Sequence, residues 1–161
     1  MKRVARPAWL DPVLVLLVAA GGALGTAARY LLTTHLHPQA GWPLATLVEN
    51  VVGAFLLGLL LEALVRRGDE TPGARRLRLG AGTGFLGGFT TFSSLAIEAE
   101  RLLAGGSVGT ALGYVLVSLV LGFLACLGGV VLAASHHRWT QDRLPERPDS
   151  VFDGRQHEEA P

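Results

Sequence analysis

The charged residues of this 161-residue chain stay out of most of its length. They crowd into the two ends and one short middle stretch, Arg66 to Arg76 (RRGDETPGARR), and leave long apolar runs between. A soluble domain needs polar residues along every element, so that one face of each meets water. Here half of the chain is hydrophobic and only 17% is charged, too little polar surface for that purpose. The pattern points to a bilayer. A helix crosses the hydrocarbon with about 20 predominantly apolar residues, and four stretches qualify: about 12–32, 44–65, 77–103 and 108–134. The expected fold is an all-α integral membrane protein with four transmembrane helices. Its membrane domain, 12–134, lies between an N-terminal segment 1–11 and a tail 135–161, rich in Pro, Asp, Glu and Arg, that reads as disordered.

Lys2 and Arg3 ahead of the apolar run Val13 to Ala20 have the look of a signal peptide. No clean cleavage site follows and the run continues to Leu32, so a retained first helix is expected. The connections differ in character. Residues 33–43 form a polar loop with Trp42 at headgroup level. Pro72 and Gly73 read as breakers in the charged turn, and Ala104 to Ser107 as a tight hairpin. Twelve of the 14 Lys and Arg residues fall before the first span, between the second and third (counting Arg78 at the very start of the third), or after the fourth; Arg29 and Arg101 are the exceptions. With four spans those three segments share one side. The positive-inside rule puts both termini in the cytoplasm, with the chain in the inner (plasma) membrane.

The third stretch is unlike the others. Gly80, Gly82, Gly84, Gly87 and Gly88 lead directly into Phe89-Thr90-Thr91-Phe92-Ser93-Ser94. Glycines permit close helix approach, but glycines followed by four hydroxyls predict a helix broken at mid-membrane depth. Backbone freed there is tolerated only when it is buried in protein, lines water or binds an ion.

Other chemistry is sparse. The single cysteine, Cys126, excludes an internal disulfide, and its apolar neighbours make it a packing thiol. The histidines, His35, His37, His136, His137 and His157, lie in loops or the tail, so no intramembrane metal or acid–base cluster can be named and no enzyme is expected. Basic residues separated by apolar spans form no nucleic-acid stripe.

Three segments, one per span and in order, carry a resemblance: GGALGTAARY (Gly21 to Tyr30), ATLVENVVGAFLLG (Ala45 to Gly58) and GTGFLGGFTTFSS (Gly82 to Ser94). On these the chain resembles the Fluc/CrcB fluoride ion channel family over about Gly21 to Ala134. The resemblance implies an antiparallel two-chain channel, with two pores along the interface, that lets fluoride leave the cell. Phe89 and Phe92 would line the pores with electropositive ring edges. Thr90, Thr91, Ser93 and Asn50 would supply donors to the anion, and Tyr114 and Ser118 would continue the polar track. Arg29 would act in a vestibule or as an interfacial anchor. A structural sodium ion at the dimer interface would be held by the backbone carbonyls of Gly84 and Gly87. The partners implied are membrane lipid, fluoride and a second antiparallel subunit.

Two departures accompany the resemblance. Glu49 stands where an apolar residue is usual, and an intramembrane carboxylate marks function by default. It is expected to face away from the pore, pairing with Arg29 or a partner-chain cation, or to stay protonated. The loop charges are also too lopsided for one sequence to insert both ways, which favours a sister chain of opposite orientation over a homodimer. Glu49 keeps a small proton-coupled multidrug antiporter as the competing function, and a non-conducting subunit of a heterodimeric channel is the other.

Overall fold

A computed structural model describes residues 11–36 and 41–141, with side chains described to residue 136. All its elements are helical. The first, α1 (Pro12–His35), starts where the Asp11 carboxylate accepts the Val13 N–H at 3.0 Å and Pro12 takes the first helical position. The second, α2 (Leu44–Val65), is followed by Gly68, whose φ of +84° allows the chain to reverse.

Thr71 then caps α3 (residues 72–89), its hydroxyl accepting the Ala74 N–H at 3.1 Å. Pro72, expected to break structure, instead opens this helix at its first position, where a missing N–H costs nothing. The breaker of that turn is Gly68. The α3 helix has three consecutive pieces: Pro72–Leu77, a stretch with wider π-type hydrogen bonding at Arg78–Leu86, and a closing turn, Gly87–Phe89. Thr90 and Thr91 then leave the helix in extended conformation (φ −82°, ψ 156° and φ −151°, ψ 121°). A further helix, α4 (Phe92–Ala104), follows, and a turn at Gly106 (φ +75°) leads into α5 (Val108–Gln141). The last helix runs seven residues past the expected end of the membrane domain, so 135–141 are helical rather than a disordered tail. Residues 142–161 and the expected segment 1–10 lie outside the described residues.

Short connections order the elements up and down. Trp42, before α2, meets Tyr114 of α5 edge to face with ring centroids 6.1 Å apart, so the α1–α2 and α4–α5 connections share one end. Two pairings organise the bundle: α1 lies along α3, and α2 along α5, with α4 also against α5. Both pairings close on glycines. A Cβ at Gly25 would run into the Phe85 carbonyl, one at Gly88 into the Gly22 carbonyl, and one at Gly129 into the Phe55 carbonyl. Without water to drive helices together, close backbone approach of this kind is what associates them in a membrane.

Among the described helices, Pro12–His35, Leu44–Val65 and the Val108–His136 part of α5 are long and apolar enough to cross a bilayer. Their large apolar side chains point outward: Leu16 is 69% exposed, Leu24 65%, Leu116 63% and Val131 65%. That distribution suits lipid as the surrounding solvent.

Candidate functional site

The interruption at Thr90 and Thr91 frees backbone groups that an unbroken helix would pair internally. The Thr90 N–H still reaches the Leu86 carbonyl at 2.9 Å, and its hydroxyl bonds the same oxygen at 2.9 Å. The Thr91 N–H would reach the Gly87 carbonyl in a continuous helix; it donates instead to Asn50 Oδ1 at 2.8 Å. Asn50 Nδ2 in turn donates to the Thr91 carbonyl at 2.9 Å. One side-chain amide on α2 thus replaces a peptide partner on both sides of Thr91. The Thr91 hydroxyl then accepts the Ser94 N–H at 3.1 Å, capping α4, and lies within 3.2 Å of the Ser93 and 3.1 Å of the Ser94 hydroxyls.

On the other side of the interruption, α1 holds the Gly88 carbonyl. Arg29 Nε donates to it at 3.2 Å and the Thr26 hydroxyl at 3.5 Å. Arg29, expected in a vestibule or as an anchor, is half-buried with its guanidinium turned to this carbonyl.

An open groove of about 350 Å³ runs beside the interruption. Asn50 and Ala54 of α2, Thr90 and Thr91, Phe92 and Leu95 of α4, and Ser118, Leu119, Gly122 and Phe123 of α5 line it. Of the residues singled out in the sequence, it gathers Asn50, Thr90, Thr91, Phe92 and Ser118. Phe92 stands 78% exposed at its edge. The others fall elsewhere. Phe89 stacks on Phe85 with centroids 6.0 Å apart and is not among the lining residues. Ser93 is exposed beside Thr91. Tyr114 is fully buried, one turn before Ser118, whose hydroxyl bonds back to the Tyr114 carbonyl at 2.7 Å. Such back-bonding is the common fate of serine in a helix.

A second polar cluster lies between α2, α4 and α5. Glu98 accepts from Thr46 at 2.8 Å and from the Tyr114 hydroxyl at 2.6 Å. Sequence reasoning passed over Glu98 and Thr46. The signal was present: Glu98, like Glu49, is a carboxylate inside an apolar stretch, and the same rule applies to it. Glu49 itself is 1% exposed, lines no part of the groove, and accepts from the Thr33 hydroxyl at 2.8 Å. Ion pairs join Glu62 to Arg66 and Glu70 to Arg78, whereas Glu49 makes no direct pair with Arg29.

A helical bundle with lipid-facing apolar sides and a polar, interrupted segment along a groove defines a class: integral membrane proteins whose non-helical backbone is held by neighbouring helices. The family model described as CrcB-like protein, Camphor Resistance (CrcB), matches residues 16–130, and the chain belongs to that family. It is 43% identical over 134 residues to the fluoride-specific ion channel FluC 2 of Leifsonia xyli subsp. xyli, covering 83% of this chain and 92% of that one. Over 133 residues it is 45% identical to FluC 1 of Cutibacterium acnes (80% and 91% covered). Over 120 residues it is 42% identical to the FluC channel of Agrobacterium fabrum (73% and 94%).

Proposed function

We propose that this chain is a subunit of a passive fluoride-selective channel, with fluoride passing along the groove beside Thr90 and Thr91. The observation that carries the reading is the groove itself, where the Thr90 and Thr91 segment, Asn50 and Ser118 meet the ring of Phe92. Fluoride holds its hydration shell tightly, so a dry passage without donors would exclude it. The second Asn50 N–H, and hydroxyls that turn from their present acceptors, replace part of that shell, and a phenyl edge adds a weakly positive contact without binding the ion too firmly to release it. Hydrofluoric acid crosses bilayers neutral and ionises in a near-neutral cytoplasm. An inside-negative potential then expels the anion, with a drive of about 2.3 kcal/mol per charge per 100 mV, so no energy-coupling site is required.

The finer architecture belongs to the same proposal. The segment 72–104 makes the fourth crossing, as two half-helices meeting at Thr90–Thr91 within the membrane. Both termini lie in the cytoplasm, in keeping with the twelve basic residues on that side. A second, antiparallel subunit covers the groove, which one chain leaves open with Phe92 exposed. The charge imbalance favours a sister chain of opposite orientation for that role. For a structural sodium ion, Gly87 fits: it is exposed, and its carbonyl has lost the Thr91 amide to Asn50. Gly84 fits less well, being buried against α1 with its carbonyl accepting the Gly87 N–H. Sodium there would neutralise carbonyl dipoles where two chains meet.

The test is efflux from liposomes loaded with fluoride or with chloride, run on the purified chain alone and after co-expression with a sister subunit. Rapid fluoride loss with chloride retained, in either preparation, supports the reading; equal loss of both ions, or none from either folded preparation, refutes it. Proton-coupled drug export is the competing outcome, and it would appear as substrate uptake driven by a pH gradient with no fluoride flux.

A further inference from the structure

We propose that Glu49 is a positioning residue for the fluoride passage: bonded to Thr33, it straps α1 to α2 so that these helices hold the interruption at one spacing. The conduction arm of this inference rests on the function proposed above; its structural arm does not.

The bundle is built from two pairings, α1 with α3 and α2 with α5, and α1 and α2 share little packing. Among the described residues one hydrogen bond joins α1 to α2, from the Thr33 hydroxyl to Glu49 Oε1 at 2.8 Å. The Arg29 carbonyl, one turn earlier and 3.0 Å from the same hydroxyl, is the alternative acceptor for its single proton. Arg29 in turn holds the Gly88 carbonyl from the α1 side. On α2 the residue next to Glu49 is Asn50, which holds both peptide groups of Thr91. Gly88 and Thr91 flank the point where the chain leaves the helix. The contacts therefore form a triangle: α1 to Gly88, Thr91 to α2, and α2 back to α1. Glu49 supplies the third side. Without it the two clamps sit on helices that share little direct packing, and the groove beside Thr90 and Thr91 is held at its width by fewer contacts. A carboxylate in an apolar span is costly, which argues against a filler role. Glu49 is 1% exposed, so its bond to Thr33 is shielded from lipid and water alike.

The experiment is a double-mutant cycle on the full chain in lipid nanodiscs and liposomes, using Glu49→Leu, Thr33→Val and the pair. Hydrogen exchange of the 88–94 amides and fluoride efflux are both read. Each single change should speed exchange about tenfold and slow efflux in the same order. The pair should be no worse than the more severe single change, because both remove one bond. Glu49→Gln keeps an oxygen that accepts from Thr33 and should retain most of the wild-type behaviour. Unchanged exchange in Thr33→Val, effects that multiply in the pair, or Glu49→Gln as damaging as Glu49→Leu would each overturn the strap. Should Glu49→Leu fail to fold, Thr33→Val and Glu49→Gln still decide. Exchange that responds in a wild type carrying no fluoride would keep the strap and discard the channel.

Discussion

Two regions of this bundle carry clusters of glycine in apolar sequence and fold differently. The α5 helix has Gly109, Gly113, Gly122, Gly128 and Gly129 and runs unbroken for 34 residues. The α3–α4 region has Gly80 to Gly88 and stops being helical at Thr90 and Thr91. Glycine alone therefore does not break a helix in this setting. The glycines of α3 stay helical, in part with π-type bonding, and admit α1: Gly84 meets the Val18 carbonyl and Gly88 the Gly22 carbonyl. At the break, a neighbouring helix replaces the lost peptide bonds. At Thr91 Asn50 supplies an acceptor and a donor, and the Thr91 hydroxyl caps the helix that follows. In an apolar solvent a break forms where substitutes are built, whatever the local propensity.

The substitution Asn50→Leu should do the most to break this contrast. It strands the Thr91 N–H and carbonyl, each at a cost of about 1–3 kcal/mol. Fluoride efflux should fall by about a hundredfold or more on the scale of 1.36 kcal/mol per tenfold, with faster hydrogen exchange at 88–94. An unaffected Asn50→Leu would return the break to the glycines. Next is Gly25→Val, where the new side chain meets the Phe85 carbonyl and the Phe89 N–H. Overpacking there should cost about 3 kcal/mol and lower the melting temperature in detergent, separating α1 from α3. The smallest effect belongs to Gly109→Ala in α5, which has nothing within 4 Å. Helix propensity favours alanine by about 1 kcal/mol or less, so melting should be unchanged or slightly raised, with efflux unaltered.

The division between what the sequence reveals and what it hides follows the same physics. Apolar runs between charged stretches mark the helices because hydrocarbon thickness fixes their length. The Thr90–Thr91 segment stood out because four hydroxyls after five glycines have no purpose in a lipid-facing helix. The partner of the break was not legible as a bond, since Asn50 and Thr91 lie 41 residues apart and their register depends on how α2 packs. Nor did spacing separate Phe89 from Phe92: three residues apart in an unbroken helix they would share a face, but the interruption between them sends one toward Phe85 and the other into the groove. Tyr114 and Ser118 were predicted to form one track, yet Tyr114 turns inward to Glu98 and only Ser118 reaches the groove. Glu49, expected to face away from the pore and to pair with a cation or stay protonated, lies outside the groove and bonds Thr33.

The measurement that tests the central claim most directly is fluoride efflux by Phe92→Ile beside Leu116→Ile, at equal protein in the same liposomes. Both side chains are exposed on one chain, at 78% and 63%, but only Phe92 lines the groove at the interruption. Passage of fluoride through that groove predicts efflux about tenfold slower or worse for Phe92→Ile, with Leu116→Ile matching the wild type and all three melting alike. Wild-type efflux from Phe92→Ile would place the fluoride path elsewhere in the bundle and contradict the account.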